Sequence, residues 1–173
     1  MNIKAPSLSP RRCRVRAGLT LIECMMALVI LMLAVLAANF AVAAGRQHAR
    51  EGELALNAVR LLEDMVEEII SLPYADPDGE LTPGPEVDET GRPLFDNIDD
   101  FHNYQEEPGG LVDFSGNPYD SNYQVFVRAV TVTYGSESPA GMGTINGVTV
   151  NVAVKDDRGM SWDVTRFVPE PVE

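Results

Sequence analysis

The chain has 173 residues, 26 of them acidic and 13 basic, for a formal net charge of -13. Such an acidic balance repels a phosphate backbone and argues against direct nucleic-acid binding, and two cysteines are too few for a disulfide-stapled scaffold. The charge is also divided along the chain, because residues 1–18 hold Lys4, Arg11, Arg12, Arg14 and Arg16 and no acid, which leaves 8 basic and 26 acidic residues, a net of -18, in the remainder.

The basic stretch stops at Gly18. Leu19-Thr20-Leu21-Ile22-Glu23 follows, then an apolar run from Cys24 to Ala38, interrupted by Asn39 before Phe40 to Ala44. As a helix, residues 19–44 would reach about 39 Å at a rise of ~1.5 Å per residue, enough to cross a ~30 Å hydrocarbon core with some tilt. Cations before the span keep the N-terminus cytoplasmic and send the rest outward, so a single-pass topology is expected. Glu23 is the anomaly. An ionised group costs roughly 2.5 to 3.5 kcal/mol at the bilayer centre and less near the interface, so inside a packed helix bundle it would seek a cation.

Gly18-Leu19-Thr20-Leu21-Ile22-Glu23, after a basic leader and before a long apolar helix, resembles the type IV pilin family and its secretion pseudopilins. The resemblance implies that residues 1–18 are a leader, cut after Gly18 by prepilin peptidase, a membrane aspartyl peptidase that also methylates the new amino terminus at Leu19. It implies further that Glu23, then the fifth residue, meets the terminal amine of a neighbouring subunit as helices stack. The partners implied are the peptidase, other pilin or pseudopilin subunits through the N-terminal helix, an inner-membrane assembly platform and the lipid bilayer. The implied location is the bacterial inner membrane, with the C-terminal domain periplasmic or extracellular, and then a pilus or pseudopilus. Tip subunits of this kind lack the glutamate, so its presence suggests a body or near-tip position.

Two departures from the family pattern matter. Cys13 lies in the leader and Cys24 in the apolar segment, so the exported part lacks the cysteine pair with which many major pilins close a C-terminal loop. This favours a minor pilin or pseudopilin over a principal fibre subunit. Many pilins also carry a helix-breaking proline along this segment, whereas none stands between Leu19 and Leu72. Two other readings of the N-terminus stay open: a secretory signal cut near Ala41-Val42-Ala43, and a plain signal anchor in which Glu23 has no role. Either would make the chain a secreted or membrane-anchored ligand-binding module without a filament role.

Residues 45–72 continue the helix in amphipathic form. Leu54, Ala58, Leu61, Leu62, Met65, Val66, Ile69 and Ile70 recur at three- and four-residue spacing and draw one apolar stripe, while Glu53, Glu63, Asp64, Glu67 and Glu68 fill other faces. Leu72-Pro73 stops it, because a residue before proline is pushed out of the helical region.

Residues 73–122 form an acidic Pro/Gly-rich loop region with scattered aromatics. A loop of that length must pack its own aromatics or serve recognition. Phe95 to Tyr104 is similar to a stretch found in mannose-sensitive-haemagglutinin-type minor prepilins. Asp96, Asp99 and Asp100, with Asn97 and His102 among them, are candidate calcium ligands, as are Asp76, Asp78 and Glu80, since calcium takes hard oxygen donors. Gly79 sits at the fourth place rather than the sixth and no glutamate follows at the twelfth, which excludes an EF-hand.

Residues 123–168 read as an antiparallel meander. Tyr123 to Tyr134 is rich in β-branched and aromatic residues, Val148, Val150, Val152 and Val154 alternate with polar or small residues, and Asp156-Asp157-Arg158-Gly159 supplies a turn. Met160 to Val168 follows with Trp162, Val164 and Phe167 as apolar candidates, and residues 169–173 form a tail. The fold class expected is α+β, a long N-terminal helix packed on a C-terminal antiparallel sheet of about three or more strands. No nucleophile-base pair, Cys/His metal spacing or phosphate-cradling loop stands in the chain, so a structural subunit is expected and not an enzyme.

Overall fold

Leu21–Ile70 folds as one uninterrupted α-helix, α1, in the computed structural model, which describes residues 19–76, 83–87, 89–141 and 143–171. Residues 1–18, 77–82, 88, 142, 172 and 173 lie outside the described residues, and with them Gly18, Asp78 and Glu80. The chain divides into two compact units, Met1–His48 and Ala49–Glu173, and α1 contributes to both.

In the first unit every described residue is exposed, including Leu21, Ile22, Met25, Leu28 and Leu31. A helix apolar on all its faces has no stripe to bury against its own domain, and this one is long and apolar enough to cross a membrane. Asn39, the polar interruption, donates its Nδ2 to the Val35 carbonyl at 2.9 Å, so its amide is served within the helix.

In the second unit α1 is amphipathic. Ala58, Leu61, Leu62, Met65, Val66 and Ile69 are buried, Leu54 packs at the margin, and Ile70 at the helix end is exposed. Glu68, which the spacing assigns to a solvent face, is buried instead. The helix ends before Pro73, with the Ser71 hydroxyl donating to the Glu68 carbonyl at 2.7 Å.

Four strands form one antiparallel sheet in sequence order: β1 (Gln105–Glu106), β2 (Val127–Glu137), β3 (Ile145–Lys155) and β4 (Ser161–Pro169). Val148, Val150, Val152 and Val154 are fully buried on the face that meets the helix stripe, as the alternation requires. Opposite them on β4 stand Val168, Arg166, Val164 and Trp162. Phe167 pairs with Thr149 and so points to the other face, over Gly147. A Cβ on Gly147 would come within 2.4 Å of the Val168 carbonyl and 2.5 Å of the Phe167 ring, which is why glycine occupies that position.

The strand expected from Tyr123 begins only at Val127. Tyr123 to Val125 are in turns, closed by hydrogen bonds from the Tyr123 and Phe126 amides to the Asp120 and Tyr123 carbonyls at 2.9 and 3.2 Å. Tyrosines there clamp the outer face of the helix instead: Arg60 donates to the Tyr123 hydroxyl at 3.2 Å, and the Tyr119 hydroxyl donates to Asp64 at 2.8 Å. Aromatic content marked Tyr123 as β-forming, but the backbone hydrogen bonds of these turns keep it outside the ladder.

The loop region 73–122 packs its own aromatics. Two 3-10 turns (Arg92–Leu94 and Asp99–Phe101) lead into β1, and Phe95, Phe101 and Tyr104 meet edge to face with centroids 5.0 to 5.8 Å apart. Leu111 and Phe101 enter the core beside the helix.

Candidate functional site

The start of α1 is a built helix cap. The Glu23 amide donates to the Thr20 hydroxyl at 3.3 Å, and Thr20-Leu21-Ile22-Glu23 has the spacing of a capping box. Glu23 therefore lies in the first helical turn, where its carboxylate suits the positive end of the helix dipole. It is exposed, four residues from an exposed Leu19. Nothing in its own chain neutralises it by an ion pair among the described residues.

A second constellation lies inside the C-terminal unit. Arg92, from the first 3-10 turn, forks onto Glu68 of α1, with Nε at 2.6 Å from Oε1 and Nη2 on Oε2. Its Nη1 reaches Glu106 of β1 at 3.1 Å and the Val112 carbonyl at 3.0 Å. Arg128 of β2, fully buried, places Nε 2.5 Å from the other Glu106 oxygen and donates to the carbonyls of Leu61 and Val112 at 3.2 and 3.0 Å. Two arginines and two glutamates balance. Burial by itself would lower the Arg92 pKa, but Glu68 and Glu106 carry it above the ordinary arginine value, so the group stays charged. This network ties helix, loop and sheet together, and sequence reasoning passed it by. Its signal was Arg128, which alternation sets in phase with buried Val130 and Val132.

The acidic segment after Phe95 is folded on itself. Asn97 Oδ1 accepts the amides of Asp99 and Asp100 at 2.7 and 3.3 Å, and Asp100 Oδ2 accepts those of Asp96 and Asn97 at 2.9 and 3.0 Å. Asp99 Oδ2 accepts the Tyr134 hydroxyl at 2.7 Å, and burial lifts the Asp99 pKa although that hydrogen bond opposes it. His102 Nδ1 accepts the Val132 amide at 3.3 Å, which gives the histidine a packing role at β2.

Of the three candidate calcium ligands, the structure draws only Asp100 into a carboxylate cluster, with Glu86 and Glu89 in place of Asp96 and Asp99. Glu86 and Glu89 are half-buried and stand on one reverse turn, in which the Glu89 amide donates to the Glu86 carbonyl at 3.1 Å. Sharing a hydrogen bond with Glu89 pushes the Glu86 carboxyl up to about 8, and burial raises Glu89. Asp76 is not a member of that carboxylate cluster, and Asp78 and Glu80 fall outside the described residues.

Comparison with known proteins bears on the first of these sites. Residues 13–39 match the family model of the prokaryotic N-terminal methylation motif. The chain carries a pilin-like methylation motif. The match spans the end of the basic stretch, Gly18, Leu19, Glu23 and the apolar half of α1 through Asn39. No curated protein and no solved structure matches the chain. The motif supports a pilin-like precursor processed by prepilin peptidase, and with the exposed apolar helix it supports membrane anchoring and a structural role.

Proposed function

We propose that the protein is a minor pilin or pseudopilin, a structural subunit of a type IV pilus or a type II secretion-like filament. The single observation that carries this reading is the methylation motif running without a break into α1, whose first half is apolar and exposed on all sides while its second half buries one stripe on the sheet. The apolar half would sit in the bilayer before assembly and pack against the same segment of other subunits afterwards. Prepilin peptidase would cut after Gly18 and methylate Leu19, and the freed amine would be the cation that Glu23 of a neighbour seeks. Under the positive-inside rule the uncut N-terminus faces the cytoplasm and the acidic sheet domain faces outward. The assembly platform of the inner membrane is the further partner this route requires.

Intact-mass and N-terminal analysis of the protein from its native membrane tests the proposal. A chain beginning at methylated Leu19 is expected. A start near Ala44 would mean a secreted domain, and an uncut Met1 a plain anchor; either result ends the filament reading.

A further inference from the structure

We propose that the outer edge of β4, with the groove between it and α1, takes an added β-strand from a partner protein, an extended segment in which apolar and basic residues alternate. β4 is the last strand of the sheet, and its ladder with β3 runs from Ser161 to Pro169 without a bulge. The Asp156 amide donates to the Met160 carbonyl at 3.0 Å and the Glu170 amide to the Asn146 carbonyl at 2.9 Å, which fixes the phase of that ladder at both ends. Trp162, Val164, Arg166 and Val168 therefore exchange hydrogen bonds with β3, and Ser161, Asp163, Thr165 and Phe167 turn their N–H and C=O groups away from it. Asn151 Nδ2 donates to Thr165 Oγ1 at 2.9 Å, the close side-chain approach of a pair that makes no backbone bonds. No backbone group among the described residues pairs with this outward row. An extended strand is the structure whose own N–H and C=O groups match it.

Beside that edge lies a groove of about 430 Å³ between β4 and α1, with Val59, Val66 and Ile70 of the helix and Val164 of the strand as its apolar part. Val59 and Ile70 are 41% and 48% exposed although they flank buried Leu62 and Val66, so the helix presents apolar surface beyond the last strand. A strand added to β4 would lay every second side chain into the groove and cover that surface. The site lies within the Ala49–Glu173 unit and does not depend on the filament role.

Charge selects the segment. Glu63, Glu67 and Asp163 border the groove against one cation, Arg166, and none of the three acids makes an ion pair among the described residues. A basic segment is attracted to this border, and a lysine or arginine opposite Asp163 on the added strand makes a cross-strand pair. A second copy of the chain answers it poorly, because each copy carries a net charge of -18 after residue 18 and offers an edge of the same composition. Asp163 and Arg166 also guard the edge against unselective pairing, as charges on edge strands do, whereas Pro169 guards only its end.

The test is a titration of the full chain, in non-ionic detergent, with a fluorescent peptide of about ten residues in which valine and lysine alternate, long enough to run along β4. Saturable binding, read by anisotropy, is expected. The same peptide N-methylated at every lysine amide loses the donors that face β4 and should bind about tenfold more weakly. Thr165→Pro removes an outward N–H and no bond to β3, so it should weaken binding by a similar factor and melt close to wild type. Glu63→Lys/Glu67→Lys, on the exposed flank of α1, should also weaken binding. No binding of the parent peptide, or equal binding of its N-methylated form, would overturn strand addition even if Thr165→Pro fails to fold. Equal binding of a peptide alternating valine and glutamate would overturn the basic partner. Sedimentation of the chain alone gives the remaining outcome: self-association that Thr165→Pro abolishes would assign the edge to a second copy and overturn the proposal.

Discussion

Glu23 and Asp156 show how differently two carboxylates of one chain can be used. Glu23 is exposed in the first turn of α1 beside the methylation motif, so its proposed partner is another chain. Glu23→Ala should leave membrane insertion and folding intact and sharply reduce incorporation into filaments, measured by shearing the filaments from cells and comparing subunit content with total membrane pools. Asp156 is served at home. It accepts the amides of Arg158 and Met160 at 3.0 and 2.8 Å and pairs with the Arg158 guanidinium at 3.1 Å in the turn between β3 and β4. Burial pushes its pKa up, but those amides and Arg158 outweigh burial and hold it below the ordinary 3.8. A depressed folded-state pKa means that stability from Asp156 is present above the unfolded-state value and is lost as pH falls through the folded value. Wild type should therefore exceed Asp156→Asn in melting temperature near neutral pH, with the gap closing as pH is lowered below about 4.

The elements are joined by polar contacts as well as by the valine face. Glu68, Arg92, Glu106 and Arg128 bring α1, the first 3-10 turn, β1 and β2 to one buried point, and the Val112 carbonyl adds the following loop. Removing one partner from such a network leaves a buried charge unpaired, which costs about 3 to 5 kcal/mol. Arg128→Met should lower the denaturation midpoint by an amount of that order, and Glu106→Gln combined with it should recover part of the loss. Chemical denaturation of the single and double variants gives the coupling directly. Equal losses in both would mean that packing around Arg128, including its approach to the Tyr119 ring at 5.7 Å, matters more than charge.

At the scale of the whole molecule, the buried hydrophobic residues run from Ala58 to Val154, all inside the Ala49–Glu173 unit, while the described residues before it are exposed. A chain starting at Ala49 should fold cooperatively without detergent and melt within a few degrees of the full chain, as far-ultraviolet circular dichroism would record. The apolar half of α1 would then serve anchoring and assembly without contributing to the core. A non-cooperative melt would show that the second unit depends on the first. The net charge of -18 after residue 18 favours solubility of that part and makes it poorly suited to binding a polyanion.

Local patterns alone were enough to indicate the apolar span, the amphipathic stripe, the helix stop before Pro73, the valine face of β3 and the methylation motif. The stripe and the valine face depend on neighbours at spacings of two, three or four residues, the span is a continuous apolar run, the proline acts on the residue before it, and the motif is read by its resemblance to the pilin family. Tertiary structure decided what depends on distant partners. Glu68 had the look of one more solvating glutamate until Arg92, 24 residues away, met it in the interior. Tyr123 stands in a turn, and its hydroxyl meets Arg60, 63 residues away. Asp100 left the run of acids around it for Glu86 and Glu89 because a reverse turn and a 3-10 turn, each closed by its own short-range hydrogen bonds, were brought together by the fold. Charge pairing in an interior has no period along the chain, and this is why those side chains were legible only once the helix, loop and sheet had closed on one another.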